Sequence, residues 1–237
     1  MNLKKTSHSF VSTAIIISLT LLIAILGSPC LFLPRAYTAK LIHSWSRLML
    51  VLFKRLDGLD WEIIGKENIP SGPFIVASKH QSIWDTIFFT ALFPDSAMVL
   101  KRMIIFIPFY GWHAMKVGMI WLDRGAHSKS IRKLVKQGKS CSVSERPIVI
   151  FPEGTRSPVG EKTPYKSGVA ALYKFLKIPC IPVALNSGVY WKTKGLGRNP
   201  GKITVKFMPQ IPPGLNRKDF EKKLENTIET ETNLLIG

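Results

Sequence analysis

The segment Ser78-Lys79-His80-Gln81-Ser82-Ile83-Trp84-Asp85 sets an imidazole and a carboxylate five residues apart. A neutral imidazole whose second nitrogen is held by a carboxylate can take a proton from an alcohol, because the carboxylate fixes the tautomer and stabilises the imidazolium that forms. On one continuous helix, residues five apart are separated by about 140°, so His80 and Asp85 meet only if His80 lies in a loop and Asp85 in a first helical turn. The local pattern supplies that placement. Phe74-Ile75-Val76-Ala77 is a short apolar run bounded by Pro70-Ser71-Gly72-Pro73 and reads as a buried strand. Ser82 to Asp85 fits a capping box with Ser82 as N-cap, and Ile83 to Phe93 is apolar enough for a buried helix. Taken alone, the pair names no reaction: the capping box by itself accounts for Asp85, and a single histidine beside a strand is often structural.

A second cluster, Phe151-Pro152-Glu153-Gly154-Thr155-Arg156-Ser157, directly follows the strand-like Pro147-Ile148-Val149-Ile150. Glu153-Gly154-Thr155 reads as a tight turn able to present backbone N–H groups beside the fork of Arg156, which suits an anion. Lys101 and Arg124 also sit at the ends of strand-like runs. In an open α/β sheet such ends converge on one edge, so residues distant in sequence can surround one ligand. Each of these cations alone fits a solvated surface charge equally well. Gly-x-Ser-x-Gly is absent and no Cys neighbours the histidine segment, so no covalent intermediate is required, and Ser82 reads as a cap. Gly138-Lys139-Ser140 resembles the end of a phosphate-binding loop, but Lys133 stands where its first glycine belongs.

Together, His80-x4-Asp85 and Phe151 to Ser157 resemble the signature of the glycerolipid acyltransferases, and the chain looks like their bacterial 1-acylglycerol-3-phosphate acyltransferases. The likeness runs from about Trp61 to Met208. It includes Leu100-Lys101-Arg102 leading into Ile107-Pro108-Phe109-Tyr110-Gly111-Trp112, then Ile120-Trp121-Leu122-Asp123-Arg124, Tyr165-Lys166-Ser167-Gly168 and Ile181 to Gly188. The resemblance implies attack of a lysolipid hydroxyl on an acyl thioester, with His80 as base and Asp85 holding it. It implies further that Arg156 and Lys101 hold the glycerol phosphate and that Glu153 and Gly154 shape the acceptor site; Arg124, from its place at a strand end, and Thr155, from the tight turn, complete the expected substrate-binding set. Acyl-CoA or acyl carrier protein would bring the acyl group as co-substrate. No other cofactor and no metal is expected. Lysophosphatidic acid and membrane lipids are the expected partners, with acyl carrier protein a further candidate.

The balance of 33 Lys and Arg against 15 Asp and Glu leaves a formal charge of +18, so the surface must attract anions: nucleic acid, anionic lipid or phosphorylated substrates. No zinc-finger spacing, basic heptad or aromatic-basic RNA motif is present, which argues against nucleic acid. Cys30, Cys141 and Cys180 are odd in number and scattered, suggesting reduced thiols in a cytoplasmic domain with neither a disulfide framework nor a metal site.

Phe10 to Gly27 carries no charge, and the uncharged stretch continues to Pro34, enough to cross a bilayer core. A secretory signal with Lys4 and Lys5 before it is the rival reading, but the run is long for one and no Ala-x-Ala site follows, so a retained anchor is expected. Tyr37 to Leu56 repeats Leu41, Ile42, Trp45, Leu48, Met49, Leu52 and Phe53 at helical spacing against cations, the pattern of a helix lying in an interface or packed on the first. Arg35, Lys40, Arg47, Lys54 and Arg55 after the anchor outnumber the two lysines before it, which puts the main domain in the cytoplasm, on the inner membrane. A full span and a re-entrant hairpin both fit these charges.

From Trp61 on, strand-like and helix-like segments alternate, the mark of an α/β fold with a mostly buried central sheet flanked by helices. Strands are predicted at 61–64, 74–77, 97–100, 117–122, 147–151, 180–185 and 203–208, and helices at 83–93, 128–143, 166–176 and 218–235. Trp191 to Gly201 reads as an exposed basic loop. The expected organisation is an N-terminal membrane-binding helix pair over residues 1–58 and an α/β acyltransferase domain over 59–237. Its expected reaction acylates the sn-2 hydroxyl of 1-acylglycerol 3-phosphate to phosphatidic acid. A sister acyltransferase using another lysolipid or glycerol 3-phosphate, or a non-enzymatic anionic-lipid binder, are the alternatives.

Overall fold

The computed structural model describes residues 3–122, 127–193 and 195–237. Two long helices open the chain, α1 (Leu3–Leu26) and α2 (Arg35–Asp57), joined by a 3-10 turn at Ser28–Phe32. Gly58, in the left-handed region at φ 66°, ends α2 and turns the chain straight into β1 (Leu59–Ile64). There follow β2 (Ile75–Ser78), α3 (Ile83–Leu92), β3 (Ala97–Lys101), α4 (Tyr110–Lys116), β4 (Ile120–Leu122), α5 (His127–Val143) and β5 (Ile148–Ile150). The chain closes with α6 (Ser167–Leu176), β6 (Cys180–Leu185), the single turn α7 (Ser187–Tyr190), β7 (Gly201–Phe207) and α8 (Arg217–Ile236).

The strands form one sheet in the order β1-β7-β6-β2-β5-β3-β4. β6, β2, β5, β3 and β4 are mutually parallel, whereas β7 pairs antiparallel with β6 and β1 runs parallel to β7. The carboxyl ends of five strands therefore share one edge, and among the described residues the loops after β2, β3, β5 and β6 open there.

Helices cover both faces. On one, Met49 and Phe53 of α2 and Trp84, Phe88 and Phe89 of α3 pack on Val76, Val149 and Val183; on the other, Leu134, Leu172, Tyr173, Phe220 and Leu224 pack on Ile75, Ile148 and Cys180. Side chains of this size each contribute about 1.5–3 kcal/mol when buried, which is why β2, shielded on both sides, is apolar at every position but its last. Gly138 lets α5 approach α6 closely: a Cβ there would stand 2.7 Å from Leu172 Cδ2.

The α/β architecture and the strand and helix positions agree with the sequence reading to within a few residues; apart from short helical turns such as α7, three differences stand out. The strand expected at 117–122 begins only at Ile120, because Val117 caps α4 through His113 O and Gly118 turns at φ 70°. Helix α4 and the 3-10 turn Arg102–Phe106 before it are absent from that reading, since Pro108 and the aromatic run around it obscure the helical period. Finally, Trp191 to Gly201 is not a simple exposed loop. Trp191 and Arg198 are buried and bridge each other, and Arg198 carries its charge inward to Asp57.

Candidate active site

The loop after β2 stands at the shared carboxyl edge. Lys79 N–H donates to Val183 O, continuing the ladder one residue beyond β2, and the chain then leaves the sheet at His80. Ser82 caps α3, and the carboxylate of Asp85 in its first turn folds back on the loop. Asp85 Oδ2 accepts from Gln81 N at 2.8 Å and Ser82 N at 2.9 Å, and lies 3.0 Å from His80 Nδ1. The hydroxyls of Ser82 and Ser187 cover Oδ1. Two backbone donors, two hydroxyls and a helix N-terminus thus all direct positive charge at the fully buried carboxylate. With Asp85 as the acceptor at Nδ1, the neutral ring that serves as a base carries its hydrogen there and its lone pair on Nε2. The ring is fixed in plane by Phe151, stacked at 3.9 Å between centroids and 16° between planes, and its side chain remains 14% exposed.

Beside it runs the loop after β5. Gly154 turns at φ 66°, where a side chain would be strained, and its N–H closes the turn on Phe151 O. That amide is thus occupied within the loop. Glu153, expected to shape the acceptor site, does so from beneath: it is fully buried, Oε2 accepts from His80 N at 3.1 Å, and Oε1 makes an ion pair with Lys79 Nζ that is not aligned as a hydrogen bond. Burial pushes its pKa up to about 7 against the opposing pull of Lys79. Thr155 is exposed and Arg156 half-buried. Ser157 N–H then bonds His80 O at 2.7 Å, so the backbone carrying Arg156 is tied to the histidine loop.

Lys101 ends β3 on the same edge, exposed and in register with Leu122 at the end of β4. Arg124, two residues further on, lies outside the described residues. Among the described residues, the structure thus brings His80, Asp85, Glu153, Gly154, Thr155 and Arg156 together and sets Lys101 on the same edge. Several partners go beyond the sequence reading. Gln81 receives Gly188 N–H on its side chain and the Thr193 hydroxyl on its carbonyl, and Ser187 reaches Asp85. The signal for Ser187 and Gly188 is their position just past a strand, in a block already quoted for the resemblance. Phe151 and Lys79 give no local signal of their role.

An apolar cavity opens between α1, α2, α3 and α4, lined by Leu41, Ile42, Trp45, Ile87, Met98, Leu100 and Ala114, and it reaches Thr86, the residue after Asp85. Among the described residues, no cluster of His, Cys, Asp or Glu could hold a metal ion.

The chain also resembles known proteins. The family model described as Acyltransferase matches residues 60–186. A Pseudomonas aeruginosa 1-acyl-sn-glycerol-3-phosphate acyltransferase is 37% identical over 177 residues, covering 75% of this chain and 69% of that protein. A protein of the same name from Helicobacter pylori is 30% identical over 189 residues, 78% of each. The crystal structure of the 1-acyl-sn-glycerophosphate (LPA) acyltransferase PlsC from Thermotoga maritima superposes with a TM-score of 0.75 at 22% identity, over 99% of this chain and 95% of that one, so the two share a fold.

Proposed function

The chain belongs to the acyltransferase family, and on that premise we propose that it acylates lysophosphatidic acid at the sn-2 hydroxyl, forming phosphatidic acid. The observation that carries this is a single one: an imidazole oriented by Asp85 and stacked on Phe151, its Nε2 without a partner among the described residues, on a loop tied by Ser157 N–H to the segment bearing Arg156. His80 Nε2 takes the proton of the lysolipid hydroxyl as its oxygen attacks the thioester carbonyl. Asp85 stabilises the imidazolium, which returns the proton to the departing thiolate. An acyl chain occupies the apolar cavity that reaches Thr86 at the start of α3. The acyl donor is a thioester of coenzyme A or of acyl carrier protein, and no further cofactor enters.

Arg156, with Lys101 and Arg124, receives the phosphate of the acceptor. Arg156→Lys keeps the charge and loses the planar fork, so kcat/KM for lysophosphatidic acid should fall about 10- to 150-fold, the equivalent of one charge-assisted hydrogen bond of roughly 1.5–3 kcal/mol. Utilisation of thioester at saturating acceptor should change less. Steady-state kinetics varying each substrate in turn, with phosphate-free lysolipids as a second acceptor series, decide it: a rise confined to the thioester KM moves Arg156 to the donor site.

We place the enzyme on the cytoplasmic face of the inner membrane. Ser9–Leu26 of α1 has a mean hydropathy of 2.5 and is only 17% buried, long and apolar enough to cross a bilayer. Both ends of α1 are nevertheless held on the domain: Arg198 bonds Ser9 O and the hydroxyls of Ser12 and Thr13 near the start, and His113 Nε2 meets Gly27 O just after the end. This supports a helix that enters the membrane as part of the protein's surface. The turn at Ser28–Phe32 touches α4, and exposed Phe32, Met103, Phe106 and Trp112 extend the apolar surface beside Arg102. In the full chain, Met103→Ser with Phe106→Ser should weaken binding to anionic vesicles about 10- to 100-fold, while Val143→Ser, exposed at the end of α5, should not. Vesicle sedimentation checks this, and equal loss in both variants would remove the 103–107 segment from the contact.

A further inference from the structure

Lys79 is among the largest fully buried side chains of the protein, its charge 2% exposed, and the proton-transfer scheme makes no use of it. A buried ammonium persists only if it is paired on more than one side. Its partners come from segments far apart in the chain. Glu153 meets it from the loop after β5, and Glu229 of α8 places both carboxylate oxygens 3.0 Å from Nζ. The free oxygen of Glu153 holds His80 N–H, and Tyr165 donates to Glu229 Oε1 at 3.0 Å. One unbroken path therefore runs from the C-terminal helix to the backbone of His80: Glu229, Lys79, Glu153, His80 N. Glu229 lies outside the segment matched to the family model, which ends at residue 186.

We propose that Glu229 is a positioning residue for acyl transfer, acting through Lys79 and Glu153 to hold the His80 backbone where its ring meets the substrate hydroxyl. This rests on the reading of His80 as base. The cluster brings two carboxylates to one cation, so with both acids ionised it carries an uncompensated negative charge in a buried place. A proton near neutral pH resolves that excess, in keeping with the raised pKa of Glu153, whose causes are burial, then the counter-pull of Lys79, then repulsion from Glu229. The other charged or titratable groups around the cluster are Tyr165, held protonated by the same burial and anions, and Glu225 on α8, which is committed to Lys162. Only the ionised Glu153 accepts from His80 N–H with full strength, so kcat/KM should rise with pH as Glu153 loses its proton.

The sign of each perturbation follows. Glu229→Gln removes the anion that opposes ionisation of Glu153 and keeps an acceptor for Lys79, so the acid limb of kcat/KM should move to lower pH, by roughly 0.5–2 units for a charge at this separation. Lys79→Met removes the cation that favours ionisation, so the limb should move to higher pH. A purely structural brace would lower the melting temperature in both variants and displace neither limb. Should Lys79→Met fail to fold, Glu229→Gln decides alone: a folded Glu229→Gln enzyme whose limb stays in place or moves upward overturns the proposal. In that experiment, His80→Ala run alongside distinguishes the two readings. An active His80→Ala sinks the base assignment itself, whereas an inactive one with an unmoved Glu229→Gln profile sinks only the role of Glu229.

Discussion

His80→Ala should give a folded protein that turns over about 10²- to 10⁴-fold more slowly, the usual worth of a positioned base. The fold should survive because the loop is held by its backbone and not by the imidazole. His80 N–H to Glu153 and Ser157 N–H to His80 O remain in the alanine variant, as do both amide bonds from Gln81 and Ser82 to Asp85. What is lost is the Nδ1 contact with Asp85 and the stack on Phe151, together about 1–3 kcal/mol of stability. Consumption of acyl thioester in the presence of lysophosphatidic acid, with circular dichroism and a melting curve on the same sample, separates the two effects. A folded alanine variant with normal turnover would remove His80 from the chemistry.

The contrast between what is and is not legible in the sequence has a physical origin. Strand β2, the cap at Ser82 and helix α3 are local: an apolar run, a hydroxyl and an acid three residues later determine them, so the His80–Asp85 contact follows from spacing alone. The meeting of the β2 and β5 loops follows from a topological rule, that parallel strands present their carboxyl ends together. Neither kind of reasoning reaches Glu229. It sits on an amphipathic helix among glutamates at positions 221, 225, 229 and 231, of which three bridge surface or half-buried lysines or arginines and only Glu229 reaches the buried Lys79. Which glutamate turns inward depends on how α8 docks against β6, a tertiary fact with no local trace. Arg198 is missed for the same reason. In sequence it belongs to a glycine- and lysine-rich stretch, yet its guanidinium lies over Trp191 and pairs with Asp57 because α1 and α2 close over it.

Asp85 serves the cap and the imidazole with one carboxylate, and two substitutions should pull these duties apart. In Asp85→Asn the amide carbonyl can take the place of Oδ2 and accept from Gln81 N, Ser82 N and His80 Nδ1, while the amide NH2 faces the hydroxyls of Ser82 and Ser187, which can rotate to accept. Folding stability should change little. The charge that stabilises the imidazolium is gone, however, and the loss of one charge-assisted hydrogen bond in the transition state, roughly 1.5–3 kcal/mol, corresponds to a fall of about 10- to 150-fold in kcat. In Asp85→Ala the two buried amides have no acceptor at all. Each costs about 1–3 kcal/mol, so the variant should lose about 2–6 kcal/mol of stability in addition to activity, with a denaturation midpoint well below that of the Asp85→Asn protein. Denaturant titration and kinetics on both variants test the division. If Asp85→Asn were as unstable as Asp85→Ala, the negative charge itself would hold the cap, and if it were as active as the parent enzyme, the carboxylate would have no part in stabilising the imidazolium.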